Sequence, residues 1–147
     1  MDLNIKKFSE LTNDELYQIL NLRLEVFVTE QKILYTDTDF LDQDAVHYFI
    51  MKDQAIICYL RVIAPDVIDD YFHFGRVVTK LSERKKGYAS KLIKRVLADY
   101  SDQKIVISAQ AYLKEYYMRF GFKVIEGPYL EEGILHYKME INERFTT

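Results

Sequence analysis

One cysteine, no tryptophan, two prolines and five glycines stand among 147 residues, and each scarcity closes off a class of protein. The lone Cys58 cannot form an internal disulfide, which argues against a disulfide-stapled secreted scaffold and for a reducing compartment. It lies in the apolar run Ile56-Ile57-Cys58-Tyr59-Leu60, where a thiol packs as a small hydrophobe rather than acting as a nucleophile. So little proline and glycine leaves no room for linkers, and the length suits one domain, 1–147, with a sizeable core. No apolar stretch approaches the roughly 18 residues of a membrane span, and the acidic start Met1-Asp2 is unlike a signal peptide. A cytoplasmic protein without a membrane partner is the expectation. The three histidines, His47, His73 and His136, include no ligand-spaced pair, so no metal is expected. Lys and Arg number 20 against 23 Asp and Glu, a net charge of −3, which disfavours nucleic acid as a partner. Also missing are GxGxxG, the G-x-x-x-x-G-K-[ST] loop, and any plausible Ser-His-Asp or Cys-His set.

What is present is a stretch around which the rest is arranged, GRVVTKLSERKKGYASKLIKRVLADY, residues 75–100. It follows from a strand-like piece at 71–79, rich in aromatic and β-branched residues. A basic turn comes next, Arg84-Lys85-Lys86-Gly87-Tyr88-Ala89, and then a helix. Ala89, Leu92, Ile93, Val96, Leu97 and Tyr100 fall on one face of a 3.6-residue period. Strand, basic glycine-containing turn and helix together place backbone N–H groups and the positive end of a helix dipole beside cations, an arrangement suited to a phosphate or diphosphate. Lys91, Lys94 and Arg95 read as a solvated face. Gly87 is the sharper feature, because it lets backbone approach a ligand closely at a cost to helix stability.

Along the chain, residues 3–8 suit a first strand, and Thr12-Asn13-Asp14-Glu15 is a capping box with Leu11 and Leu16 as its staple. A helical face runs on to about Val28. Residues 35–39 form an acidic loop that reads either as a solvated connection or as a substrate-facing wall. Residues 47–51 and 56–63 form a hairpin that 71–79 extends. Residues 104–108 read as a buried strand, 111–120 as a helix stopped by Gly121, and 122–124 as the start of another strand. Gly127-Pro128 and Glu131-Glu132-Gly133 mark turns. Residues 135–141 alternate, with Leu135, Tyr137, Met139 and Ile141 inward and His136 on the polar face. The order β-α-β-β-β-α-β-α-β-β predicts an α/β fold: a mixed, mostly antiparallel twisted sheet with helices on both faces.

The hexapeptide Arg84–Ala89 resembles the R/Q-x-x-G-x-G/A signature of the GCN5-related N-acetyltransferases (GNAT). A second segment, Gln110 to Phe122, is similar to that family's later helix ending in Y-x-x-x-G-F. Further fragments, among them Val26-Phe27-Val28-Thr29-Glu30-Gln31, Tyr35-x-Asp37-x-Asp39, Gly75-Arg76-Val77 and Tyr129-x-Glu131-x-Gly133-Ile134-x-His136, resemble in order and spacing the ElaA branch of acyltransferases. The resemblance implies acetyl-CoA as acyl donor and a small-molecule or peptide amine as acceptor, in a monomer or homodimer. It places Val77, Val78 and Thr79 on the pantetheine arm and Arg84, Lys85, Lys86, Gly87, Tyr88, Ala89 and Ser90 around the diphosphate. Gln110 stands where many relatives use Asn to contact the cofactor. Tyr117 stands where many relatives protonate the departing thiolate, although with twelve tyrosines simple packing is the competing reading.

Acyl transfer to an amine has one demand that the residues must meet. An alkyl amine is neutral in only about one molecule in 2,500 at pH 7, a deficit of roughly 4.6 kcal/mol, so a site must desolvate it or remove its proton. Direct attack needs no enzyme nucleophile, and backbone amides of Val77 and Val78 would polarise the thioester carbonyl. The glutamate that some relatives carry as base is replaced by Ile105. Candidate substrate contacts are Glu30, Gln31, Asp37, Asp39, Glu131 with Glu132 beside it, and His136. For each carboxylate the alternative is ordinary surface charge, and His73 is similarly open. A non-catalytic module that binds acyl-CoA and regulates a partner is the second reading.

Overall fold

The computed structural model describes residues 2–144. Seven strands form one open sheet in the order β1-β2-β3-β4-β5-β7-β6. They are β1 (Asp2–Lys7), β2 (Ala45–Lys52), β3 (Ala55–Ile63), β4 (Phe72–Thr79), β5 (Ile105–Gln110), β6 (Lys123–Glu131) and β7 (Ile134–Ile141). All neighbours are antiparallel except β4 and β5, which are parallel. Three helices, α1 (Asn13–Arg23), α2 (Tyr88–Asp99) and α3 (Lys114–Met118), complete the α/β order that the sequence predicts.

Local chemistry accounts for several of these elements. Glu15 N–H donates to Thr12 Oγ1 at 3.0 Å and Thr12 N–H to a Glu15 carboxylate oxygen at 2.9 Å, so the capping box starts α1; such a cap is worth about 1 kcal/mol. Lys52 turns into Ala55 through Asp53 (φ 51°) and Gln54 (φ 67°), two left-handed residues whose twist matches a tight hairpin.

Four expectations are corrected. The first helix stops being α-helical at Arg23 and widens over Leu24–Glu30. Gln31 N–H reaches the Val26 carbonyl and Ile33 N–H the Val28 carbonyl, both at 3.2 Å, the five-residue spacing of a π turn. The helix expected over 111–120 is a tight turn at Ala111–Leu113 followed by the short α3. Gly127-Pro128 is not a hairpin turn but lies inside β6, where the register against β7 shifts between Glu126 and Tyr129. A Cβ on Gly127 would sit 2.9 Å from the His136 carbonyl oxygen, so a side chain there would force β6 off β7. The inward pattern of β7 holds for Met139 and Ile141 but reverses at its start, where Leu135 is 49% exposed and His136 only 7%. There the helix-covered core has ended, while Tyr129 stacks on His136 from the opposite face.

Each sheet face has its own core. On one face Leu60, Phe74, Ile107 and Met139 pack with Leu92, Ile93 and Val96 of α2 and Tyr117 of α3. On the other, Ile19 and Leu22 of α1 pack on Phe49, Ile56, Tyr59 and Val78. Fully burying each of these side chains stabilises the fold by about 1.5–3 kcal/mol.

Beside the α1 core runs a polar network of three arginines and three aspartates. Arg23 Nε donates to Asp37 Oδ2 at 2.7 Å and its Nη1 to Asp42 Oδ1 at 2.8 Å. Arg61 donates to Asp42 Oδ1 at 2.8 Å and pairs with both Asp39 oxygens. Arg76 lies 3.0 Å from Asp37 Oδ1 and 3.4 Å from Asp39 Oδ2. Burial pushes the Asp39 and Asp42 carboxyls up, but hydrogen bonds and charge from the arginines outweigh it, holding Asp39 down at about 2 and Asp42 below its usual range. A depressed folded pKa stabilises above the unfolded value, about 3.9, and that stability is lost as pH falls through the folded value. Thermal midpoints measured against pH are therefore expected to fall between about pH 4 and pH 2, and Asp39→Asn is expected to flatten that slope. An unaltered slope would remove the network as its source.

Candidate active site

Strands β4 and β5 pair only at Phe72 with Ile105 and His73 with Val106. Beyond those residues they diverge, and the edge of β4 from Gly75 onward has no neighbour on its β5 side. The cause is an extra residue in β4. Tyr59 opposes Val78 while Arg61 opposes Gly75, so two steps on β3 match three on β4, a bulge that bends the strand. Arg76 sits at that bulge with φ 52°, a left-handed conformation that costs a non-glycine residue about 1–3 kcal/mol. Its guanidinium is the one clamped by Asp37 and Asp39, with Nη2 also donating to the Asp37 carbonyl at 3.0 Å. The acidic loop thus fixes the bulge that precedes Val77 and Val78.

The splay opens a cleft of about 820 Å³, within the range of small-molecule sites. Of the residues singled out from sequence, Val77, Val78, Thr79, Arg84, Lys85, Ala89, Gln110 and Tyr117 line it, as do Glu30, Gln31, Asp39, Glu131 and His136. Lys86, Gly87, Tyr88, Ser90 and Asp37 are not on its wall. Lys86 pairs with Glu83 at 2.9 Å, Tyr88 packs against the α2-side core, and Ser90 Oγ lies 2.8 Å from the Tyr116 hydroxyl. Asp37 is buried in the arginine network, so its carboxylate serves as scaffold rather than as substrate contact. Asp39 reaches the wall but is held by Arg61 and Arg76.

One end of the cleft is cationic. Gly87, at φ 83°, precedes α2 with no side-chain cap, which leaves the amides of the first turn available to a ligand. Lys85 and Arg84 stand beside it. Arg84 donates to Glu30 through both terminal nitrogens, at 2.8 and 2.7 Å, and through Nε to the Thr79 carbonyl at 3.1 Å. That pair holds the Glu30 carboxyl below its ordinary range and makes Glu30 a brace for the loop. The opposite end carries Glu131, Glu132 and His136. Between them, Gln31 donates across to Gln110 Oε1 at 3.3 Å, joining the π turn to the end of β5.

Tyr117 enters from the α2 side, packed on Phe74, Phe122 and Tyr116. Burial pushes its phenol well above the ordinary tyrosine value, so it remains an O–H donor throughout neutral pH. Cys58 is buried, its thiol raised by that burial to about 11, and it lies off the cleft wall. His73 likewise lies off the wall, 2.7 Å from Asp69.

Sequence reasoning passed over four wall or near-wall groups: Arg76 as the bulge residue, Ser108 on β5, Tyr116 against Ser90, and Tyr129 stacked on His136. Arg76 and Tyr129 lie in the family-like fragments Gly75-Arg76-Val77 and Tyr129-x-Glu131, which mark their positions but not their conformation or contacts.

Residues 10–143 match the acetyltransferase (GNAT) domain. The chain belongs to that family. Among GNAT proteins it is 37% identical to a solved acyl-CoA N-acyltransferase from Pseudomonas aeruginosa, with a TM-score of 0.90 over 95% of this chain and 99% of that one. Against the crystal structure of Escherichia coli ElaA it is 30% identical, with a TM-score of 0.87 over 95% of this chain and 97% of that one. A UPF0039 protein of Synechocystis is 37% identical over 139 residues, 91% of this chain and 90% of the relative. The chain is therefore a GNAT protein of the ElaA-like branch, with the fold of acyl-CoA N-acyltransferases. Among the described residues no helix is long and apolar enough to cross a membrane.

Proposed function

We propose that this protein transfers an acyl group, acetyl in the first instance, from acyl-CoA to a primary amine of a small molecule or peptide by direct attack. The observation that carries the reading is the pair of unpaired edges on β4 and β5, opening beside the uncapped, cation-flanked start of α2. An extended arm bearing amides can add to such an edge, and a diphosphate suits the helix start. The similarity to an acyl-CoA N-acyltransferase from Pseudomonas aeruginosa supports the same reaction.

Thioester chemistry is what the donor supplies; the chain's residues do the rest. Val77, Val78 and Thr79 align the pantetheine, and the first two amides stabilise the charge that develops on the carbonyl oxygen. Arg84, Lys85 and Lys86, with the main chain of Gly87, Tyr88, Ala89 and Ser90, hold the diphosphate. Gln110 orients the arm from β5, and Tyr117 donates toward the departing sulfur.

Titration with acetyl-CoA tests this directly. Donor at a hundredfold excess over Kd is expected to stabilise the fold by about 2.7 kcal/mol, read as a raised thermal midpoint. Gly87→Val, which forces a β-branched residue into a left-handed φ, is expected to weaken that binding about tenfold, or roughly 1.4 kcal/mol. Release of free thiol over a panel of amines then reports turnover. No thermal shift and no heat with acetyl-CoA would defeat the reading; binding without thiol release from any amine would leave a binding module.

A further inference from the structure

The end of the cleft opposite the cations holds a pair whose hydrogen bonding is incomplete. His136 Nδ1 lies 2.7 Å from the Ile134 carbonyl oxygen. A carbonyl only accepts, so Nδ1 carries the proton of that bond, and a ring bearing that single proton keeps its lone pair on Nε2. That lone pair faces the Glu131 carboxylate, with Oε2 at 3.3 Å. In that form two acceptors meet at one place, and one proton between them would complete the pair. The side chain is only 9% exposed, is stacked on Tyr129, and cannot turn away without giving up its bond to Ile134. Ser108 Oγ–H donates to the same Glu131 Oε2 at a long 3.4 Å, a weak bond that leaves the charge of the carboxylate unpaired. Such a site is completed by a group that brings several N–H donors and a positive charge.

Register places the pair relative to the rest of the cleft. His136 opposes Gln110 on β5, and Gln110 reaches Gln31 on the α1 side. His136 therefore lies on the α1 face, whereas Tyr117 belongs to the α2-face core. Tyr117 and His136 thus approach the splayed strands from opposite sides, which leaves room for a thioester between them. The charged and titratable groups facing His136 are Glu131 and Tyr129 on β6 and Glu132 at the hairpin; β5 presents uncharged Ser108 and Gln110.

We propose that Glu131 and His136 form the acceptor subsite, which takes a cationic primary amine and removes its proton; this rests on the acyl-transfer reading above. The carboxylate and Nε2 receive the ammonium. One of its protons passes to Nε2, and the imidazolium so formed lies against Glu131. The freed nitrogen lone pair makes the C–N bond as the C–S bond breaks and its electron pair leaves on sulfur. Nitrogen gives up a second proton as the amide forms, sulfur regains one, and each turnover releases one proton to solvent.

A base matters most for amines that are protonated at pH 7, and that dependence gives the test. With acetyl-CoA as donor, kcat/KM is measured for Nα-acetyl-lysine amide, cationic at pH 7, and for a primary hydrazide, neutral at pH 7. In His136→Gln the ratio of the first to the second is expected to fall about a hundredfold, the low end of what a general base contributes. Glu131→Gln, at a half-exposed position that does not threaten folding, is expected to lower the same ratio about tenfold, mainly through KM for the lysine amine. A ratio unchanged in Glu131→Gln, or equal losses on both amines in a His136→Gln protein that still binds CoA, would overturn the subsite. If the histidine variant loses CoA binding, the glutamate variant alone decides. Wild-type CoA binding, measured without any amine, separates failure of the subsite from failure of the acyl-transfer reading.

Discussion

Arg23→Met is expected to lower the thermal midpoint by on the order of 10 °C, taking about 3–5 kcal/mol for a broken buried ion pair and about 2–4 °C per kcal/mol at this size. Arg23 is fully enclosed and its guanidinium is engaged on three sides, by Asp37 Oδ2, Asp42 Oδ1 and the Asp37 carbonyl at 3.2 Å. Methionine fills much of the same volume, so the loss reports charge rather than a cavity. What remains is an Asp37 carboxylate, nearly sealed from water, with Arg76 as its only cation and the Tyr35 hydroxyl donating at 2.8 Å, and an Asp42 left to Arg61. The orphaned carboxylate, not the missing contact, carries the cost. The double variant Arg23→Met/Asp37→Asn is therefore expected to recover part of the midpoint that the single change loses. Differential scanning calorimetry decides it: a single-variant shift below about 2 °C, less than 1 kcal/mol at this size, would mean that the network is worth little to the fold.

That network also explains why parts of the site were hidden in the sequence. The capping box at Thr12–Glu15, the hairpin at Asp53-Gln54 and the amphipathic face of α2 are local, set by residues three or four apart, and all appear where the spacing places them. The acidic loop is another matter. Read along the chain, Asp37 and Asp39 look like exposed charge or a lure for cations, because their partners Arg23, Arg61 and Arg76 are 14, 22 and 37 or more positions away. Only the tertiary fold, with the end of α1 and the 35–39 loop packed over β3 and β4, brings these groups together. The bulge was equally invisible: nothing about arginine at position 76 announces a left-handed φ, and only the register of β3 against β4 reveals it. His136 was misplaced for a related reason. Alternation in β7 assigns one wet and one dry face, but at the cleft both faces are lined, and β6 supplies the cover. Of the contiguous motif at 84–90 only Arg84, Lys85 and Ala89 reach the cleft wall, because the motif also starts α2, whereas Glu30, Gln31, Glu131 and His136 are brought to that wall from the π turn, β6 and β7.

Tyr117→Phe is expected to lower kcat on the order of a hundredfold, the lower end of what a positioned proton donor contributes, with CoA affinity nearly unchanged. The ring's packing on Phe74 and Phe122 survives the change, so stability and cofactor seating have little reason to move. The form of the help follows from the phenol's own chemistry. Burial raises its pKa, far above the roughly 8.5 of an ordinary thiol, so complete transfer to a thiolate is uphill. A hydrogen bond that strengthens as charge gathers on sulfur carries no such penalty, and it acts only in the transition state. The variant should accordingly lose kcat and kcat/KM in equal measure, and wild-type activity should show no limb from this phenol at neutral pH. Tyr116 is the natural rival, since it also lines the cleft, but its hydroxyl is already engaged with Ser90 at 2.8 Å. Rates from the two phenylalanine variants, measured side by side under saturating acetyl-CoA, separate them. A full rate in Tyr117→Phe with a collapse in Tyr116→Phe would transfer the donor role one residue back along α3.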